Sequence, residues 1–169
     1  MEQILIPIER AHLIDKELHT KMERRLKCKI LLHDETQITI NGEPYDEYNA
    51  KNVLLAFGRG FSFDQACKLL SENYFFKYTN LKDMLRNEKL VERAKARLIG
   101  EDGRAKEYIE SVSEANLMIY DNTVSLIGSI ESLQIATVAL EILLGGGKHK
   151  SAYAAMEKAR RKAKEAGLI

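Results

Sequence analysis

Apolar positions along the chain recur with two periods, helical in some stretches and alternating in others, and the two follow each other in a fixed order. Gln3 to Pro7 alternates as a strand does, and Arg10 to Leu26 is helical in character with a break near Asp15. Cys28–Leu32 and Thr36–Ile40 read as two strands about a His33-Asp34-Glu35 turn, and Tyr48 to Phe57 predicts a helix with Val53, Leu54 and Phe57 on its apolar face. A Gly58-Arg59-Gly60 turn follows, and Ser62 is placed to cap a helix over Phe63–Leu70. The order then starts again. Phe75–Tyr78 reads as a strand, and two helices flank a turn at Gly100–Gly103. Asn116–Tyr120 and Thr123–Ile127 are short strands joined at Asp121-Asn122, and Ile130–Leu144 is a long apolar helix.

The register of the two halves points to a duplication. Met22 and Ile30 are eight apart, as are Ile109 and Leu117, and Ile38–Gly42 parallels Val124–Gly128 at an offset of 86. Ile14 matches Ile99, but Asp15-Lys16-Glu17-Leu18 stands in the first half where Gly100-Glu101-Asp102-Gly103 stands in the second.

That second stretch carries the chemistry. A Gly-x-x-Gly turn between helices lets backbone pass close to another molecule, because neither corner has a Cβ. It also leaves the N–H groups of the following helix unpaired, where the helix dipole favours anions. The order strand, helix, GxxG, helix, strand, strand, helix over roughly residues 74–145 resembles the type I KH domain. Such a domain clamps single-stranded RNA and grips about four nucleotides of backbone with its GXXG loop. The first half then resembles a KH unit without that loop.

Composition changes this picture little. Of 169 residues 45% are hydrophobic and 30% charged, enough for one or two small cores, and the net charge of +1 makes no case for nucleic acid. The charge is unevenly spread, however. Residues 148–169 carry seven basic and two acidic side chains, net +5, which leaves the rest at −4. Gly145-Gly146-Gly147 ends the preceding helix, Ser151 can cap a new one, and a basic helix there can run along phosphates. Within the loop, Glu101 and Asp102 oppose a phosphate path. At an effective dielectric of about 20, like charges ~6 Å apart repel by roughly 2–3 kcal/mol before screening. Arg93, Lys95, Arg97, Arg104 and Lys106 stand against them. Cys28 and Cys67 are far apart with no CxxC, so reduced thiols are expected rather than zinc or a disulfide. The four histidines have no ligand spacing, and no nucleophile elbow or phosphate-binding Walker loop occurs, so neither metal, cofactor nor enzymatic activity is expected. The opening residues lack a secretory pattern and no stretch reaches membrane-span length, so a cytoplasmic protein without membrane contact is expected.

Taken together, "AFGRGFSFDQACKLL", "RLIGEDGRAKEYIE", "VSLIGS" and "ALEILLGGGKHKSAY" resemble the archaeal two-KH proteins of small-subunit ribosome assembly, relatives of the eukaryotic partner of the Nob endonuclease. The resemblance implies an α+β chain of two tandem type I KH units (β-α-α-β-β-α), each a three-stranded sheet with helices on one face, plus a basic C-terminal helix. The expected division is 1–60 for a degenerate unit, 61–73 for a helical linker, 74–147 for the GXXG unit and 148–169 for the basic helix. It implies a non-enzymatic factor that binds the single-stranded 3′ region of small-subunit rRNA and acts in its 3′-end processing. The implied partners are the Nob-type endonuclease and the alpha subunit of initiation factor two. Other classes fit the pattern too: a KH protein of mRNA regulation or RNA decay, or an interaction scaffold with little RNA affinity. The residues expected to meet RNA are Arg97, Ile99, Gly100, Glu101, Asp102, Gly103, Arg104 and Lys106 at the loop, Arg59 in the inter-repeat turn, and Lys148, Lys150, Arg160 and Arg161 in the tail.

Overall fold

The computed structural model describes residues 1–169 and divides into two compact units, Met1–Glu72 and Asn73–Ile169. In the first unit, strand β1 (Glu2–Leu5) is followed by a single helical turn, α1 (Ile8–Ala11), and by α2 (Lys16–Leu26). The sequence break near Asp15 is the N-cap of α2, where its carboxylate accepts from Leu18 N–H at 2.7 Å. Strands β2 (Lys29–His33) and β3 (Gln37–Asn41) form the hairpin, and α3 (Pro44–Gly58) lies behind the sheet with Ala50, Val53, Leu54 and Phe57 buried. The sheet order is β1-β3-β2, all antiparallel, with Ile4 opposite Ile38 and Ile30 opposite Ile40.

Residues 61–73 are expected as a linker, yet all but the last are compact with this first unit. Ser62 and Gln65 form a reciprocal capping box at the start of α4 (Phe63–Ala66), and a 3-10 turn covers Cys67–Leu70. Phe61, Phe63, Ala66 and Leu69 are buried there.

The second unit repeats the plan, with a 12-residue helix before its turn where the first unit has a single helical turn. It runs β4 (Phe75–Asn80), a short α5 (Leu81–Met84), α6 (Glu88–Ile99), α7 (Arg104–Ser113), β5 (Asn116–Tyr120), β6 (Thr123–Gly128) and α8 (Ile130–Leu144). Its sheet order, β4-β6-β5, matches the first, with Leu117 opposite Leu126. Val91, Leu98, Ile109, Leu117, Val124, Leu126, Ile135 and Leu143 fill one core.

The last helix, α9 (His149–Glu165), belongs to that core as well. Its N-cap is Lys148, so Ser151 sits inside the first turn rather than capping it. Ala152 and Met156 are fully buried, and Tyr153, Ala159 and Ala163 pack around them. A basic surface and an apolar seam therefore share one helix. No helix is long and apolar enough to cross a membrane.

Candidate nucleic-acid interface

The turn between α6 and α7 is built by its two glycines in different ways. Asn87 caps α6, accepting from Leu90 N–H at 2.9 Å, and the helix ends at Gly100 with φ 74° and ψ 176°. A Cβ on Gly100 would lie 2.6 Å from Ala105 Cβ and 2.8 Å from its amide nitrogen, so this corner is packed against the start of α7. Glu101–Gly103 make a 3-10 turn with Asp102 in the left-handed region at φ 52°. Gly103 is left-handed too, at φ 76°, but a Cβ there would meet nothing within 4 Å. The first glycine closes the turn and the second opens it.

Gly103 is the N-cap of α7 and has no side chain to accept from the helix's first amides. The Arg104 amide donates to the Glu101 carbonyl, and the amides after it have no side-chain cap, the arrangement at a helix N-terminus that favours an anion. Arg104 is exposed beside them, and Glu101 and Asp102 are exposed within the turn.

The apolar residues next to the turn divide cleanly. Leu98, Ile109 and Leu117 are core, whereas Ile99, directly before the loop, is 39% exposed. Strand β5 is a sheet edge, and Glu110 accepts from Leu117 N–H at 2.8 Å on that edge while holding Lys106 at 3.3 Å. By the alternation of a strand, the backbone of Ile119 faces the same edge two residues on.

Several of the expected cations have structural work. The Arg97 guanidinium donates to the carbonyls of Leu143, at 3.3 Å, and Gly147, so it ties α6 to the end of α8. His149 Nε2 lies 2.8 Å from the Arg97 carbonyl oxygen, which draws the first turn of α9 to the loop end of α6. Lys148 and Lys150 flank that histidine and are exposed. Arg160 sits far along α9, where it donates to the Ser111 and Val112 carbonyls and pairs with Glu114 at 2.8 Å. Arg161 is exposed. Arg59 lies in the other unit, half-buried as the C-cap of α3. The turn, Arg104, Lys106, Lys148 and Lys150 thus belong to one end of the second unit, and Arg97 and Arg160 hold its helices together.

Sequence reasoning missed the roles of His149 and Glu110. Neither sits in a motif, and both act through backbone groups that only the fold brings near.

A family model described as a eukaryotic-type KH domain (KH-domain type I), for the second KH domain of Pno1, matches residues 75–161. A KH domain-containing protein of Methanocaldococcus jannaschii is 34% identical over 98% of this chain and 77% of its own length. The pre-rRNA-processing protein pno1 of Schizosaccharomyces pombe is 30% identical over 87% of this chain, which spans 62% of the yeast protein. A chain in the crystal structure of the a/eIF2alpha–aDim2p–rRNA complex from Pyrococcus horikoshii is 34% identical, covers 95% of this chain and 94% of its own, and superposes with a TM-score of 0.86. With the loop, the sheet order and these matches in agreement, the chain belongs to the Pno1-type KH protein family.

Proposed function

We propose that this protein binds single-stranded rRNA through the Gly100–Gly103 turn of its second unit and serves, without enzymatic activity of its own, in small-subunit rRNA 3′-end processing and assembly. The observation that carries the reading is the turn itself: an uncapped helix N-terminus behind a glycine with open space before it. Backbone phosphates dock there, Ile99 and the β5 edge meet one or two splayed bases, and Arg104, Lys148 and Lys150 supply attraction. The pre-rRNA-processing name of the yeast relative and the rRNA complex of the Pyrococcus relative support the same RNA class. The latter also supports the alpha subunit of initiation factor two as a partner. A Nob-type endonuclease acting beside the bound 3′ end completes the proposal.

We read the first unit as a type I KH unit in tandem with the second. In both, the helix before the hairpin sends a glutamate seven residues ahead to the second strand residue: Glu23 accepts from Ile30 N–H at 3.0 Å, and Glu110 from Leu117 N–H at 2.8 Å. The anion seat differs. Asp15 fills the N-terminus of α2 with its own carboxylate, where Gly103 leaves that of α7 open.

The test compares one RNA sequence as an unpaired strand and as a duplex. The unpaired strand is expected to bind more tightly, because the bases must splay toward Ile99 and β5. Equal affinity for the duplex would sink the reading.

A second expectation concerns salt. Replacing Lys148 and Lys150 with Gln should flatten the dependence of log affinity on log salt by about 0.7 for each phosphate the two lysines neutralise, with little change in sequence preference. An unchanged slope would show that these lysines touch no phosphate.

A further inference from the structure

In the second unit, α9 covers one side of α7. Tyr108 donates to Glu157, the Tyr108 and Tyr153 rings lie 4.2 Å apart, and Arg160 closes the Ser111 and Val112 carbonyls and meets Glu114. Helix α2 of the first unit corresponds to α7 at an offset of 87 residues. Glu23 then matches Glu110 and buried Met22 matches buried Ile109. Lys27 matches Glu114, both being left-handed C-caps at φ 55° and 63°. At that offset the four α7-side residues that meet α9, Tyr108, Ser111, Val112 and Glu114, become Lys21, Arg24, Arg25 and Lys27.

Those same four cations line a groove of about 680 Å³ with Phe63, Asp64 and Cys67 on its other side. The reason for the groove is length. After α3 the first unit has only α4 and a 3-10 turn, Phe63–Leu70, where the second has the 17-residue α9 after α8. The start of the seat is filled by α4, whose Asp64 meets Lys21, while the part that α9 covers further along is open; the seat's charge is also inverted: Glu114 has become Lys27, and three further cations have been added. Arg24, Arg25 and Lys27 are exposed. Lys21 is held at 2.8 Å by Asp64, whose side chain is 79% exposed.

We propose that the groove between α2 and α4 seats an acidic helix of a partner protein, beyond α4, where the rest of α9 lies on the second unit. The repeat argues for a helix, and the cations argue for carboxylates. Asp64 argues for polypeptide over nucleic acid. A phosphate chain offers Asp64 no cation and competes with it for Lys21, whereas a helix can set a cation opposite it.

The test uses the full chain and a stapled alanine-based helical peptide with glutamates at i, i+3, i+4 and i+7, read by fluorescence anisotropy. Stapling removes the ordering cost that would otherwise mask a modest affinity. Saturable binding is expected to the chain, and none of a peptide with lysines in place of the glutamates. Arg24→Glu with Arg25→Glu should weaken binding about tenfold. The same variant should bind a single-stranded rRNA fragment as the parent does, which separates this seat from the RNA site of the second unit. Lys27→Gln, one neutral change at an exposed position, should weaken the peptide severalfold and carries the test if the double variant does not fold. Asp64→Lys should strengthen the peptide. A photo-crosslinker at the peptide's centre should join it to α2 or α4. No binding, crosslinks elsewhere, or unchanged affinity in the Arg24/Arg25 and Lys27 variants would overturn the proposal. So would an equal loss of RNA and peptide affinity in the double variant, which would make the groove a nucleic-acid contact.

Discussion

Gly103→Asp is expected to abolish most RNA binding while the second unit stays folded. The side chain has room, since a Cβ at Gly103 meets nothing within 4 Å. The left-handed backbone at φ 76° costs an aspartate about 1 kcal/mol, less than most residues would pay. The loss therefore falls on binding. The new carboxylate would stand in the open space before α7, where a phosphate has to approach. It would also repel a phosphate ~6 Å away by roughly 2–3 kcal/mol, which alone is about a hundredfold in affinity. Gly100→Ala should behave in the opposite sense. Its Cβ would collide with Ala105 at 2.6 Å, so the melting temperature should fall first and RNA affinity only with it. Glu101→Lys should raise affinity modestly, by replacing repulsion with attraction at an exposed position. Titration of the three variants with one single-stranded fragment, beside their circular-dichroism melts, checks all of this. Full affinity in a folded Gly103→Asp protein would remove the turn from the RNA site.

The turn and the repeat could be read from sequence because both rest on local rules. Two glycines three apart between apolar helices specify a backbone, and strand and helix periods specify the order around it. The asymmetry of the two glycines was not legible: both occupy left-handed backbone, and only the packing of Ala105 tells the closed corner from the open one. The tail was legible as a basic helix, but its docking was not. Its buried face is mostly alanine, with Met156 as the one long aliphatic side chain, so the apolar signal is weak beside seven cations. Arg97 and Arg160 show the same limit. Both are arginines near an expected phosphate path, and both spend their guanidinium on backbone carbonyls from segments about fifty residues away in sequence, Arg97 on Gly147 and Arg160 on Ser111. Composition gives the charge of such a residue, and only the fold gives its partner.

Ending the chain at Gly147 is expected to destabilise the second unit rather than merely trim a phosphate contact. The truncation exposes the core surface that Ala152, Met156, Tyr153, Ala159 and Ala163 cover. It also removes Arg160 from the last carbonyls of α7 and Glu157 from Tyr108. Met156 alone sets the scale, since truncating a fully buried methionine to alanine costs about 2–5 kcal/mol. That is a large share of the stability of a unit this size, for which about 5–15 kcal/mol is usual. Met156→Ala should therefore lower the melting midpoint clearly in the full chain. The triple change Lys158→Gln, Arg161→Gln and Lys162→Gln should leave it nearly unchanged, because all three side chains are exposed. RNA affinity measured on the truncated chain would then report unfolding, and the lysine substitutions at 148 and 150 are the cleaner probe of the tail's electrostatics. The check is thermal or urea unfolding of the four proteins side by side. A truncated chain that unfolds with the same midpoint as the whole would show that α9 rests on the unit without supporting it.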